Sequence, residues 1–80
     1  MPLSQASKGQ EYRILQLNGR EKIQRQLMNM GLVPGAVVRL VGFLDKNAII
    51  ALKEEKLGIG QELLQRIIVE QVAAQSPSYP

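Results

Sequence analysis

Few side chains in this chain could do chemistry. It contains no histidine and no cysteine, so it has neither an imidazole general base nor a thiolate nucleophile. Ser4, Ser7, Ser76 and Ser78 lie near the two ends with no base motif beside them, and an unassisted hydroxyl is a weak nucleophile. No Gly-x-x-x-x-Gly-Lys-Ser/Thr segment is present to cradle nucleotide phosphates. Carboxylates remain, among them Asp45, Glu54, Glu55, Glu62 and Glu70. Stable transition-metal sites draw on imidazole or thiolate alongside carboxylate. Glu54 and Glu55, as sequence neighbours, would point to opposite faces of a strand. These groups read as solvated turn charges, and the sequence predicts no catalytic residue, no metal ligand and no cofactor.

What such residues can do is bind. Arg20, Lys22 and Arg25 fall within one short stretch, with Arg13 and Arg39 on segments of β-forming character. Ten basic and seven acidic residues leave a net charge of +3, a mild attraction for anionic partners. Small β-barrels hold single-stranded nucleic acid through basic grooves with aromatic stacking platforms. Here Tyr12 and Phe43 are the only rings ahead of the C-terminal tail, and Phe43 is expected in the core. Nucleic-acid binding therefore stands as the alternative, and protein docking is favoured. The corner Leu32-Val33-Pro34 sits next to the basic stretch. If Leu32 or Val33 is exposed, it forms an apolar centre with Arg20, Lys22, Gln24 and Arg25 as a polar rim, the usual anatomy of an interface. Such a surface would suit an anionic patch on a partner.

The elements that must hold these residues can be read from the punctuation. Gly31 suits the left-handed position just past a helix, and Pro34-Gly35 suits the central positions of a type II turn. Ahead of Gly31, Ile23, Leu27 and Met30 recur at helical spacing, which predicts a helix over 19–30. Asn18 reads as its N-cap, with Glu21 completing a capping box, and Glu21 and Arg25 pair on the outside at i,i+4. A strand is expected over 11–18, with a bulge where the apolar parity changes between Ile14 and Leu15. Strands follow over 36–44 and 48–53, joined by Asp45-Lys46-Asn47 with Asn47 left-handed. Glu54-Glu55 then turns the chain into a strand over 56–59. One turn of helix or 3-10 occupies 60–66, and a last strand covers 67–72. Gly42, Gly58 and Gly60 suit sharp bends. Five short strands with an early helix describe a small, strongly bent β-barrel, which removes the edges of an open sheet.

Eighty residues make one small domain with a thin margin of stability. With no cysteine to staple it, that margin rests on aliphatic packing. The domain is placed at 1–72. Residues 73–80 (AAQSPSYP) offer little apolar surface and are expected to be disordered, although Ser76 to Pro80 could serve as a short extended ligand. No apolar run nears the ~18 residues needed to cross a bilayer, and no secretory layout opens the chain, so a soluble cytosolic protein is expected.

Leu3, Gly9, a strand ending near Leu17, the helix, then Gly31-Leu32-Val33-Pro34-Gly35 and a valine-rich strand follow a recognisable order. A hairpin, a short Leu57–Ile59 strand and a closing Ile67-Ile68-Val69 complete it. The chain resembles the FeoA family, the ferrous iron transport protein A family, from about Leu3 to Val72. The resemblance also extends to the similar domain appended to some metal-dependent repressors. It implies an SH3-like barrel in the bacterial cytoplasm. It further implies a non-enzymatic accessory role to the membrane ferrous iron permease FeoB with its cytosolic GTPase domain, contact with the membrane coming only through that partner. A metal-sensing domain is a further alternative that the resemblance allows. The family's usual Gly-Asp-Pro hairpin is replaced here by Asp45-Lys46-Asn47. With neither imidazole nor thiol available, iron itself would be handled by the partner.

Overall fold

The structure, a computed structural model, describes residues 1–72; the expectations for 73–80 lie outside the described residues. The strands are β1 (Glu11–Leu17), β2 (Val37–Leu44), β3 (Asn47–Leu52), β4 (Glu55–Ile59) and β5 (Ile67–Gln71). Helix α1 (Glu21–Asn29) follows β1, and a single turn, α2 (Gln61–Leu64), precedes β5. All pairings are antiparallel, in the order β4-β3-β2-β1-β5. The fold is mainly β and SH3-like. Its sheet is open: β4 and β5 form its two ends.

β1 is bulged where the parity change predicted it. Its register against β5 shifts between Ile14 and Gln16. Leu15, the extra residue, is thrown outward, while Tyr12, Ile14 and Leu17 all face the core. One unpaired residue is what lets a strand with broken alternation bury both halves. A second shift, between Leu40 and Gly42 in β2, bends that strand from its pairing with β1 to its longer pairing with β3.

The core is one aliphatic cluster built from Leu3, Ile14, Leu27, Leu32, Leu40, Ile50, Ile59, Ile67 and Val69 among others, with Tyr12 as its sole aromatic. The Tyr12 hydroxyl accepts a hydrogen bond from the Ser7 amide at 2.7 Å, which satisfies the polar tip of a buried ring. Among the described residues no polar or charged side chain is buried. Phe43 corrects the expectation made for it, being 49% exposed. β2 runs past the core towards its hairpin, so Phe43 and Leu44 are carried out on its tip.

Ahead of β1 the chain makes a 3-10 turn, Leu3–Gln5, that seats Leu3 in the core. Pro2 bridges Ile68, and the Val69 amide donates to the Met1 carbonyl at 2.7 Å. The outer edge of β5 is thereby covered at these positions.

The first tight hairpin is one residue shorter than predicted, and the second falls one residue earlier. Asp45-Lys46 and Lys53-Glu54 are two-residue loops, and the left-handed residues are Asp45 (φ 59°) and Lys53 (φ 58°), not Asn47. Asn47 instead opens β3 opposite Leu44, and Glu55 opens β4 opposite Leu52. Right-twisted strands joined by two residues need a positive φ inside the loop. The register imposed by the buried Ala48 and Ile50 placed that requirement on Asp45 and Lys53.

Candidate docking surface

α1 is built differently at its two ends. The capping box is not formed. β1 stays paired through Leu17 with Ile67, and the Asn18 amide donates to the Arg66 carbonyl at 2.7 Å. The chain can therefore turn into the helix only after Gly19, whose φ is +113°. Arg20 becomes the N-cap, with no side-chain capping hydrogen bond. The Asn18 carboxamide instead accepts from Gln16 Nε2 at 2.7 Å. Gln24 Nε2 reaches back to the Gly19 carbonyl at 2.9 Å.

The other end is as the sequence predicts. Gly31 (φ +91°) follows the last helical turn. Its amide donates to the Met28 carbonyl at 2.9 Å, and the Leu32 amide donates to Leu27 at 3.0 Å. This paired termination, with a glycine in the left-handed position, places apolar residues at the third-last and second-following positions in contact range; here they are Leu27 and Leu32, both fully buried. The Val33–Ala36 turn closes with the Ala36 amide donating to the Val33 carbonyl at 3.0 Å. Gly35 takes φ +95°, as a type II turn requires. The turn is bolted to β1: the Gly35 amide donates to Ile14 at 2.7 Å, and the Ile14 amide donates to Ala36 at 2.8 Å.

This geometry sorts the residues singled out in the sequence. Leu32 is interior, fully buried at the helix stop, so it cannot be the exposed anchor; the termination that makes the corner stiff also turns Leu32 inward. Val33 is 38% exposed, and Pro34 is exposed beside it. Leu15 and Val37, next to the residues bolted together, are exposed as well, as is Met28 on the last helical turn. Arg25 is held by Glu21 at 2.8 Å with both side chains largely exposed, a pair worth about 0.3–0.5 kcal/mol. Lys22 and Arg25 line a shallow depression with Gln26, Asn29 and Met30. Arg20 lies on the opposite flank of α1, lining a cleft of about 520 Å³ with Gly19, Ile23 and Arg66. The three cations of the sequence motif thus divide between two flanks of one helix, and Gln24 is half-buried between the helix and the loop that precedes it.

Arg66 escaped the sequence reading. It stands far along the chain, in the turn before β5, and nothing in its local sequence marks it. The pairing of β1 with β5, and the Asn18–Arg66 backbone bond that extends it, bring it to Arg20. Another cleft, about 560 Å³, runs between the end of α1 and the β3–β4 hairpin, lined by Asn29, Met30, Gly31 and Leu52 to Glu55. Glu54 and Glu55 reach its rim, but no set of three metal-ligating side chains converges there or elsewhere among the described residues.

A small, open, strongly bent antiparallel sheet carrying one helix, with a wholly apolar interior and its charge on the surface, is an SH3-like domain. The FeoA domain model matches residues 1–71, and the chain belongs to that family. Direct comparison with curated protein sequences gives no match. Among solved structures the chain is similar to an iron uptake regulatory protein, FeoA, at 26% identity and a TM-score of 0.83, over 90% of this chain and 97% of that one. It is similar also to the FeoA protein of Chlorobium tepidum, at 21% identity and a TM-score of 0.83, over 100% of this chain and 81% of that one. The manganese-activated repressor ScaR shares the fold at 20% identity and a TM-score of 0.82, over 90% of this chain but 35% of the repressor.

Proposed function

We propose that this protein is a non-catalytic accessory factor of ferrous iron transport that acts in the cytoplasm by direct contact with the cytosolic part of the membrane iron permease FeoB. The observation that carries the reading is the match of the FeoA domain over residues 1–71. The similarity to a protein described as an iron uptake regulator supports it. So does a sequence with no imidazole or thiol, which leaves contact as the way to act. The contact surface is α1 and the corner after it: Arg20, Lys22, Gln24 and Arg25 with Val33 and Pro34. Leu32 supports this surface from inside, as a buried strut.

Replacing Arg20, Lys22 and Arg25 together by Glu tests the surface. Capture of the protein by permease-containing membranes should fall steeply, while the melting temperature shifts by no more than a surface change implies, within about 0.5 kcal/mol. Equal capture of wild type and triple variant would reject it.

A further inference from the structure

Of the exposed cations on the domain, two are already neutralised: Arg13 by Glu70 at 3.0 Å and Arg25 by Glu21 at 2.8 Å. Arg20 and Arg66 have no carboxylate within ion-pair distance among the described residues. They nonetheless line one cleft with a half-buried aliphatic side chain, Ile23, at its apolar wall. Their placement is built into the fold. The Asn18 amide to Arg66 carbonyl bond, at 2.7 Å, ties the two arginine-bearing loops together. The absence of a side chain on Gly19 lets Arg66 lie flat against the backbone. A Cβ placed there would come within 3.1 Å of Arg66 Nη1 and 3.2 Å of Arg66 Cδ.

We propose that the Gly19–Arg20–Ile23–Arg66 cleft is the specificity pocket of the docking surface, and that it receives a protein segment presenting a Glu or Asp next to an aliphatic side chain. Guanidinium groups bind carboxylate through paired, directional hydrogen bonds, and Ile23 offers the neighbouring aliphatic group a place out of water. The choice of a peptide over a nucleic acid follows from the wall: base stacking needs an aromatic platform, and the cleft is lined by an isoleucine. This inference deepens the docking function proposed above by naming the chemistry that the permease, or another partner, would supply.

The test is an NMR titration of the isotope-labelled full chain with a short synthetic peptide alternating Leu and Glu, with its Leu–Gln analogue, and with a short single-stranded DNA. The Leu–Glu peptide should shift the signals of Gly19, Arg20, Ile23 and Arg66, the Gln analogue should not, and Arg66→Ala and Arg20→Ala should each weaken binding by about tenfold. The spectra of both variants report directly that they remain folded. Equal response to the Gln analogue, unchanged binding by both variants, or tighter binding of the DNA at the same residues would overturn the proposal. Capture by permease membranes, run with the same two variants, separates it from the function it rests on. Wild-type capture that both variants retain leaves the permease contact standing and removes the cleft. Peptide binding that depends on both arginines, without permease capture, leaves the cleft standing and removes the permease.

Discussion

Individual backbone angles decide much at the residue scale. Asp45 and Lys53 sit at φ 59° and 58°, where an L-residue costs about 1–2 kcal/mol. Lys53→Gly should remove that cost while adding some unfolded-chain entropy, for a net gain of up to about 1 kcal/mol. A denaturation midpoint that stays put or falls would contradict a left-handed Lys53. Gly31 and Gly35 make the reverse case. Gly31→Val should destabilise by roughly 1–2 kcal/mol from backbone conformation. It also forces a Cβ to within 2.9 Å of Leu52 Cδ2, a methyl at the end of a side chain that can move aside. Gly35→Ala meets nothing within 4 Å, so its loss, on the order of 1 kcal/mol, comes from φ alone. Chemical denaturation of the two variants separates backbone strain from crowding.

Within single elements the contrast is between the two ends of α1. Its C-terminal stop is local: glycine, the preceding turn and the following leucine suffice to specify it. Its N-terminus is not local, because β1's pairing with β5 and the Asn18–Arg66 bond decide where the helix can begin. Asn18→Ala should therefore change stability by less than about 0.5 kcal/mol, whereas loss of a working N-cap would cost about 1 kcal/mol. Thermal melts of the Asn18 variant read the difference directly. A loss of the larger size would restore Asn18 as the cap.

For the whole molecule, the helix belongs to the domain through a narrow seam. Leu27 is the one fully buried side chain on α1, backed by Leu32 beyond the stop and by the partly buried Ile23 and Met30. Leu27→Ala should cost about 2–5 kcal/mol, a large share of the roughly 5–15 kcal/mol available to a domain. It should also abolish capture by permease membranes, because the surface loses its platform. A fully folded Leu27 variant with unchanged melting would mean that α1 is held by something other than this seam.

Strand count, the β1 bulge, the helix with its glycine stop and the type II corner were all legible in the amino-acid order. Each is set by a short-range rule: alternation, helical spacing, or a glycine where only a glycine fits without strain. The FeoA-like order of these elements was legible for the same reason. What the order of residues could not settle was the facing of residues at corners and strand ends, because burial there depends on chain segments far away. Tertiary packing turned Leu32 inward and Phe43 outward, and through the register of β3 it shortened the first hairpin turn by one residue and moved the second by one. It divided Arg20 from Lys22 and Arg25, and brought Arg66 beside Arg20 through the pairing of β1 with β5 and the Asn18–Arg66 backbone hydrogen bond that extends it.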